Sequence, residues 1–491
     1  MDTARILRVL SPEPVLCLPS PARTPVPSVR TVPVMTLDGT FRSRIFMLRA
    51  CFTVFVLISI ARAQWNEKVL YNFQSGTDGA NPAGGVVFDP QGNLFGATQN
   101  GGSSSCGGPG QCGTVFELTP PVEKGGKWAE TVLYIFQGRA NKDGETPEGG
   151  IVIDAKGNLY GTTGYGGTGT CTLLGEPVGC GTVYELSPPA KQGDPWTETV
   201  LYSFQGNKDG YVPSGDIVFD DKGNLYGVTL FGGGKGRNCG DDLYPNCGTV
   251  WRLSPPKKKG GAWKEKVLHR FAGGKDGAWP NGGLVLDGAG AVYGTTFHGG
   301  YNCPYNSNLG CGTAFQLIPP TNKGGGWTEK RVHIFKNHKD GTEPNSGVIL
   351  GPDGALYGGA GGGAKGGGVI YQLAALGGQW KETVVYEFNS NTDGYAPSVS
   401  FFNSKGVLYG TTNEVPDQAA GSVFLLNPHQ GKRNVWTLAE LYEFTDHAEG
   451  AFPFPQLAVD GSGRLYGATL EGGTSNNCSF QGCGVVFEVK P

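Results

Sequence analysis

The chain has 491 residues, with 39 Lys and Arg against 42 Asp and Glu, and 84 glycines. A near-neutral balance without a basic concentration argues against nucleic acid and anionic membrane surfaces as partners. Glycine far above the usual ~7%, at regular spacing and among β-formers, indicates a turn-dense all-β chain rather than disorder.

Residues 1–46 are rich in Pro and Arg and carry no periodicity. Met47-Leu48-Arg49-Ala50 follows, then an apolar run from Cys51 to Ile60, then Ala61-Arg62-Ala63 before Gln64. A basic start, a short apolar stretch and an A-x-A site read as a secretory signal peptide cleaved near Ala63. Met47 is a candidate true start. The run of ten is well short of the roughly 20 residues a membrane span needs. Residues 1–63 are therefore expected to be leader, and residues 64–491 a single domain with no membrane span. Removing the leader's eight Arg and three acids leaves 31 basic and 39 acidic residues, about −8.

From Gln64 onward one pattern recurs seven times. An Asp-Gly turn with Pro three residues after the Gly marks each copy: Asp78, Asp143, Asp209, Asp276, Asp340, Asp393, and Glu449 in the last. Gly-Asn-Leu-Tyr-Gly or a variant starts at Gly92, Gly157, Gly223, Gly290, Gly354, Gly406 and Gly463. A tryptophan follows at Trp65, Trp128, Trp196, Trp263, Trp327, Trp380 and Trp436. Such a period points to a propeller, solenoid or array. In the second copy, Gly150–Asp154 and Leu159–Thr163 read as strands flanking a Lys-Gly-Asn turn. Thr182–Leu186 is a third, stopped by Pro188-Pro189, and Thr199–Phe204 a fourth. Four strands in about 61 residues, seven times over, predict an all-β seven-bladed propeller with antiparallel blades. The chain begins on the Trp-led strand and ends on a third strand. The N-terminal strand is therefore expected to complete the last blade and hide its edge.

Ten cysteines lie beyond the leader, in close pairs: Cys106-Cys112, Cys171-Cys180, Cys239-Cys247, Cys303-Cys311 and Cys478-Cys483. Each pair falls in the same loop of its copy, so an exported chain should form five disulfides. Zinc is disfavoured by the absence of C-x-x-C and of a recurring His. The fifth and sixth copies lack the pair and are shorter.

Gly84–Asp89, Gly92–Thr98 and Gly113–Leu118 carry Gly-Gly-Val-Val-Phe-Asp, Gly-Asn-Leu-Phe-Gly-Ala-Thr and Gly-Thr-Val-Phe-Glu-Leu. This resembles the Gloeo–Verruco (GloVer) tandem repeat of exported bacterial proteins. The resemblance covers all seven copies, degrades in the sixth, and implies no assigned reaction or catalytic residues. A looser likeness, confined to the hairpins Asp154–Tyr160 and Asp220–Tyr226, is to propeller lyases and lactonases. Those enzymes need acids, His or metal ligands on the axis, and none is apparent in the sequence.

Two groups are candidate binding residues. The first is the Asp series Asp78, Asp143, Asp209, Asp276, Asp340 and Asp393. Its plain reading is an Asx turn, and its functional reading is a ring of acceptors for calcium or sugar hydroxyls. The second precedes the Gly-Gly of the stapled loop and varies: Asn100, Tyr165, Phe231, His298 and Glu471. Mixed aromatic and polar residues over one face suit a carbohydrate or peptide. The Trp series reads as packing. The six His (His269, His298, His333, His338, His429, His447) share no evident position, and no G-x-S-x-G, H-E-x-x-H or phosphate loop occurs. The expectation is a secreted or periplasmic monomer, a non-catalytic binding or scaffold propeller for extracellular glycan or protein. It needs no cofactor, calcium being the one ion the Asp series would suit. A propeller enzyme on polysaccharide or a lactone, using axial carboxylates, and a structural envelope component are the alternatives.

Overall fold

The computed structural model describes residues 65–491 apart from 103–105, 107–111, 174, 192, 235–238, 240–245, 301–302, 304–308, 323, 337–338, 415–419, 429–435, 446 and 479–481. The residues expected to be leader and signal peptide (1–63), His338 and His429 lie outside the described residues.

Seven antiparallel sheets form the blades of a seven-bladed β-propeller. Blade 2 runs from inside to outside through Gly144–Pro147, Leu159–Gly166, Thr182–Ser187 and Thr197–Ser203. Blade 3 repeats this with Tyr211–Phe219, Leu225–Phe231, Thr249–Ser254 and Lys264–Arg270. The strands of each blade are called a to d from inside outward. In blade 7 the order is Ala451–Pro453, Leu465–Glu471, Val485–Lys490 and then Asn66–Asn72 from the start of the domain. Asn66 pairs with Lys490 and Asn72 with Val485, so the first and last strands lie in one sheet. Helix is confined, among the described residues, to two three-residue 3-10 turns.

The inner strand differs from the sequence reading. In blade 2 it has two pieces, Gly144–Pro147 and Val152–Ile153, both paired with Leu159–Gly166. The interruption falls at Gly149-Gly150, where neighbouring inner strands meet backbone to backbone. Gly149 N–H donates to the Ala83 carbonyl of blade 1 at 3.1 Å. A Cβ on Gly84 would lie 2.5 Å from the Gly150 nitrogen, so only glycine allows this approach.

Farther out, the blades are joined by aromatic rings. The Phe ending each d strand meets the c-strand aromatic of the next blade: Phe73 with Phe116 at 5.0 Å, Phe136 with Tyr184 at 5.0 Å and Phe204 with Trp251 at 5.7 Å. Phe271 with Phe315, Phe335 with Tyr371, Phe388 with Phe424 and Phe444 with Phe487 complete the circle at 5.0–5.2 Å. All fourteen rings are buried. The glycine of each Leu-Tyr-Gly makes room for that c-strand ring; a Cβ on Gly96 would meet Phe116 at 2.5 Å. At the hairpin end, the Trp series packs on the preceding blade, as in Trp128 on Tyr466 (6.2 Å) and Trp196 on Phe95 (6.1 Å).

The five cysteine pairs are bonded as the spacing predicts, with Cα–Cα separations of 5.0–5.5 Å. The Gly after each second cysteine receives the proline of the next blade. A Cβ on Gly248 would lie 2.7 Å from Pro280 Cδ, and one on Gly312 2.6 Å from Pro344 Cδ. The stapled loop thus forms the seat on which the following blade docks.

Candidate functional site

The end of the ring carrying the stapled loops holds a repeated backbone irregularity. The residue before the proline of each Asp-Gly-x-x-Pro turn has positive φ without being glycine. These are Asn81 (56°), Thr146 (57°), Val212 (54°), Trp279 (57°), Glu343 (51°), Ala396 (47°) and Phe452 (59°). The left-handed region costs an L-residue roughly 1–2 kcal/mol, and for β-branched Val212 and Thr146 it is a marked outlier. The conformation aims each N–H at the preceding blade: Thr146 at the Cys112 carbonyl (2.9 Å), Glu343 at Cys311 (2.7 Å), Ala396 at Gly367 (3.0 Å). The backbone is thus the same seven times, while the side chain differs in every copy.

The varied residues Asn100, Tyr165, Phe231, His298 and Glu471 end the b strands and sit beside this ring. Asn100 pairs with Ala80, Tyr165 with Glu145, Phe231 with Tyr211, His298 with Ala278 and Glu471 with Ala451. Asn100 Nδ2 donates to Asn81 Oδ1 at 3.1 Å. Together the two sets make a mouth around the start of the inner strands. Phe231 and His298, expected to face a ligand, are instead buried, at 2% and 4% exposure. His298 meets Trp279 at 4.6 Å, which meets Phe231 edge-on at 5.3 Å, which meets Tyr211 at 5.3 Å. Burial pushes the His298 ring down to about 4, so it is neutral near pH 7. Trp279 is the partly exposed member of this ring cluster.

Blade 6 supplies an equivalent residue that the sequence reading missed, Glu414, opposite Tyr395. Its signal was the b-strand alignment of Thr411-Thr412-Asn413-Glu414 with Ala97-Thr98-Gln99-Asn100; the missing Gly-Gly concealed it. Glu343, Glu414 and Glu471 therefore place carboxylates on three successive blades, and burial raises the pKa of Glu343 and Glu414.

The Asp series lies apart from the mouth residues in its bonding. Asp78 accepts from Gln74 N (2.6 Å) and Tyr71 Oη (3.2 Å). Asp143 accepts from Gln137 N, Tyr134 Oη and Gly144 N at 2.6–2.8 Å. Asp209 takes Gln205 N and Tyr202 Oη, and Asp393 takes Asn389 N and Tyr386 Oη. Asp276 takes Ala272 N with His269 Nε2 at 3.1 Å, and Asp340 takes Lys336 N with His333 Nε2 at 3.1 Å. His269 and His333 thus occupy the tyrosine position of the d strand, which corrects the reading that the histidines share none. Val-Leu-His-Arg-Phe aligned on Val-Leu-Tyr-Ile-Phe was the available signal. Among the described residues, no three His, Cys, Asp or Glu side chains converge on a common metal position.

Five of these six Tyr–Asp or His–Asp pairs face a glutamate two residues after the next blade's Trp, Leu438 standing there for Tyr386–Asp393, a series the sequence reading did not single out. Burial, then the charge of the neighbouring Asp, pushes Glu130 to about 7, Glu198 to about 8 and Glu265 to about 7. One carboxyl oxygen of each is buried without a hydrogen-bond partner.

On the axis, the Gly-Gly of blades 1, 2 and 4 becomes Gly215-Asp216 in blade 3 and Pro455-Gln456 in blade 7. Asp216 Oδ1 accepts from Gly150 N at 2.6 Å, and Oδ2 from Gln456 Nε2; Gln456 Oε1 accepts from Gly85 N at 3.2 Å. This bridge joins blades 1, 2, 3 and 7 across the centre. Nearby in register, Glu148 of blade 2 is pushed by burial to about 8. An axial carboxylate was therefore present in the sequence, visible as the departure from Gly-Gly.

No curated protein matches the chain. Solved structures of similar shape include a polysaccharide lyase PL25 ulvan lyase bound to its saccharide (12% identity, 74% of this chain and 79% of that chain, TM-score 0.37). Others are a fungal alcohol oxidase in complex with copper (13%, 87% and 76%, TM-score 0.44) and an arginine-substituted mutant of AofleA from Arthrobotrys oligospora (12%, 77% and 90%, TM-score 0.38). At this identity and overlap, none assigns a ligand or a reaction to this chain. The Gloeobacter/Verrucomicrobia repeat profile matches residues 53–236 and 303–491. With most of its length matched and the repeat visible in every blade, the chain belongs to the Gloeobacter/Verrucomicrobia repeat family.

Proposed function

We propose that this protein is an exported binding module that recognises extracellular glycan or protein at the mouth of the propeller. The observation carrying this is the ring of seven left-handed, non-glycine residues before proline. Retaining strained side chains where glycine would relax the backbone is expected where the side chains themselves are used. Their chemistry varies from blade to blade, whereas the residues holding the blades together recur. Asymmetry of this kind gives a symmetric ring one orientation for a ligand. Trp279 offers a flat apolar face on one side, and Glu343, Glu414 and Glu471 offer acceptors on the other, suited to hydroxyls or a basic side chain. The five disulfides, and the absence of a long apolar helix among the described residues, are consistent with an extracellular setting.

The test is a binding screen of residues 64–491 against polysaccharides and surface-protein extracts, with and without chelator. Trp279→Ala and the paired change Glu343→Gln with Glu471→Gln are run beside the parent. Saturable binding weakened about tenfold by either variant is expected. Binding indifferent to both would overturn the mouth as the site. A second reading, catalysis by axial carboxylates, has Glu148 in its favour, since a carboxyl held protonated near neutrality is a usable acid. Depolymerised product, lost in Glu148→Gln, would establish it.

A further inference from the structure

We propose a second binding site, for a neutral saccharide chain, in the groove between blades 2 and 3 at the end of the ring opposite the mouth. The groove, of about 690 Å³, runs between the Asp154–Asn158 turn and Tyr160 of blade 2 and the Pro255–Trp263 turn of blade 3. Its position follows from the strand register. Tyr165 of the mouth and Leu159 beside this groove are opposite ends of one b strand.

The floor is aromatic: Trp263, Tyr160 and Phe219, with Tyr160 edge-on to Phe219 at 5.1 Å. In five other blades the equivalent Trp covers the aromatic ring of the preceding blade, at centroid distances of 5.9–6.4 Å. Trp263 and Tyr160 both line the groove. The partly exposed Trp263 and Phe219 are here the aromatic faces a ligand can reach, Tyr160 itself being buried.

The polar rim selects the ligand class. Asp154 and Asp220 are committed to their own turns: Asp154 accepts from Lys156 N, Asn158 N and Asn158 Nδ2 at 2.8–2.9 Å, and Asp220 from the matching groups at 2.7–2.9 Å. Glu185 takes one hydrogen bond, from Ser187 Oγ to Oε1 at 3.0 Å, which leaves Oε2 as an acceptor. The exposed Lys156 and Lys259 side chains supply donors. A rim with acceptor and donors of opposite charge favours neither a polyanion nor a polycation. No Leu, Ile, Val or Met lines the groove, which disfavours an acyl chain. A sugar ring has an apolar C–H face for the aromatic platform and hydroxyls at its edge for both rim charges. The volume falls within the usual range for ligand sites, roughly 300–1,000 Å³.

The experiment is calorimetric titration of residues 64–491 with neutral hexasaccharides from glucan, xylan and mannan, alongside an acidic oligosaccharide and a peptide library. Trp263→Ala should weaken the neutral ligand about tenfold and Glu185→Gln a few-fold. Trp196→Ala, whose ring packs on Phe95, and Trp279→Ala at the mouth should leave this affinity unchanged. Hydroxyl-radical footprinting of the parent protein supplies a readout independent of variant folding, with the partly exposed Trp263 protected by saccharide. Absence of neutral-saccharide binding, tighter binding of the acidic sugar or peptide, or absence of that protection overturns the proposal. Loss in Trp279→Ala with Trp263→Ala silent places the sugar at the mouth and overturns the groove alone. Loss in Trp263→Ala with Trp279→Ala silent supports the groove whatever the fate of the mouth reading.

Discussion

The seams between blades and the mouth of the ring are built from the same repeat, yet they treat it in opposite ways. At the seams, seven Phe-to-aromatic pairs recur with nearly the same spacing, and the glycines that admit them recur too. At the mouth the backbone recurs, even to the sign of φ, but the side chains are Asn, Thr, Val, Trp, Glu, Ala and Phe. Close packing punishes change at a seam, because two blades must fit one another. Apart from the buried Val212, a side chain at the mouth has no such partner to satisfy in every copy. The contrast separates residues that make the ring from residues that give it a use.

The contrast is broken most severely by taking away a whole seam. Deleting residues 64–74 removes the strand paired with Val485–Lys490 and with it Phe73. Loss of cooperative thermal unfolding by circular dichroism, or aggregation, is expected; a soluble product with an unchanged melting temperature would refute the role assigned to that strand. Next comes a single seam ring. Phe136→Ala should cost about 3–5 kcal/mol in denaturant unfolding, whereas Tyr165→Ala at the mouth should cost under about 1 kcal/mol. Equal costs would erase the distinction between the two regions.

Smaller effects sharpen it. Replacing Cys171 and Cys180 by Ser opens a loop with a sequence separation of nine and should cost about 2–3 kcal/mol. The seam glutamates give a pH dependence whose sign is fixed. Glu130, Glu198 and Glu265 bind a proton more tightly in the folded protein, with values of about 7 to 8 against 4.5 for the ordinary side chain. Their contribution is complete below pH 4.5 and is lost as pH rises through 7 to 8. Melting temperature should therefore be higher at pH 5.5 than at pH 8.5, and Glu198→Gln should flatten that slope. A slope of the opposite sign, or one untouched by the variant, would show that these carboxyls do not set it.

What the sequence disclosed follows the same division. Features repeated in all or most copies were legible: four strands, seven blades, the Trp series as packing, and the cysteine pairs of five copies. They announce themselves because seam packing forbids variation. The departures were harder to read, since they carry meaning only after the copies are laid in register. Asp216 stands where other blades have glycine, and His269 and His333 where others have tyrosine. Glu414 was concealed by a shortened loop. The left-handed residues could not be found by propensity at all. The residue before a proline ordinarily adopts extended backbone, and here the hydrogen bond to the preceding blade overrides that preference.

That override yields the finest test of the comparison, at Thr146. Its φ of 57° is unfavourable for a β-branched residue, so Thr146→Gly removes a strain of roughly 1–2 kcal/mol. Glycine also gives the unfolded chain more freedom, which costs about 0.4–1 kcal/mol. The two nearly offset, and the hydrogen bond from N–H to the Cys112 carbonyl is kept because it belongs to the backbone. Stability by chemical denaturation should therefore hold constant or rise by up to about 1 kcal/mol. Glu343→Gly should behave similarly, since it also removes a carboxyl that burial disfavours in its charged form. If either substitution instead destabilised the protein by as much as a seam residue does, its side chain would be holding the ring together, and the mouth would be scaffold. Unchanged stability with altered ligand binding would leave recognition as the reason the strain is retained.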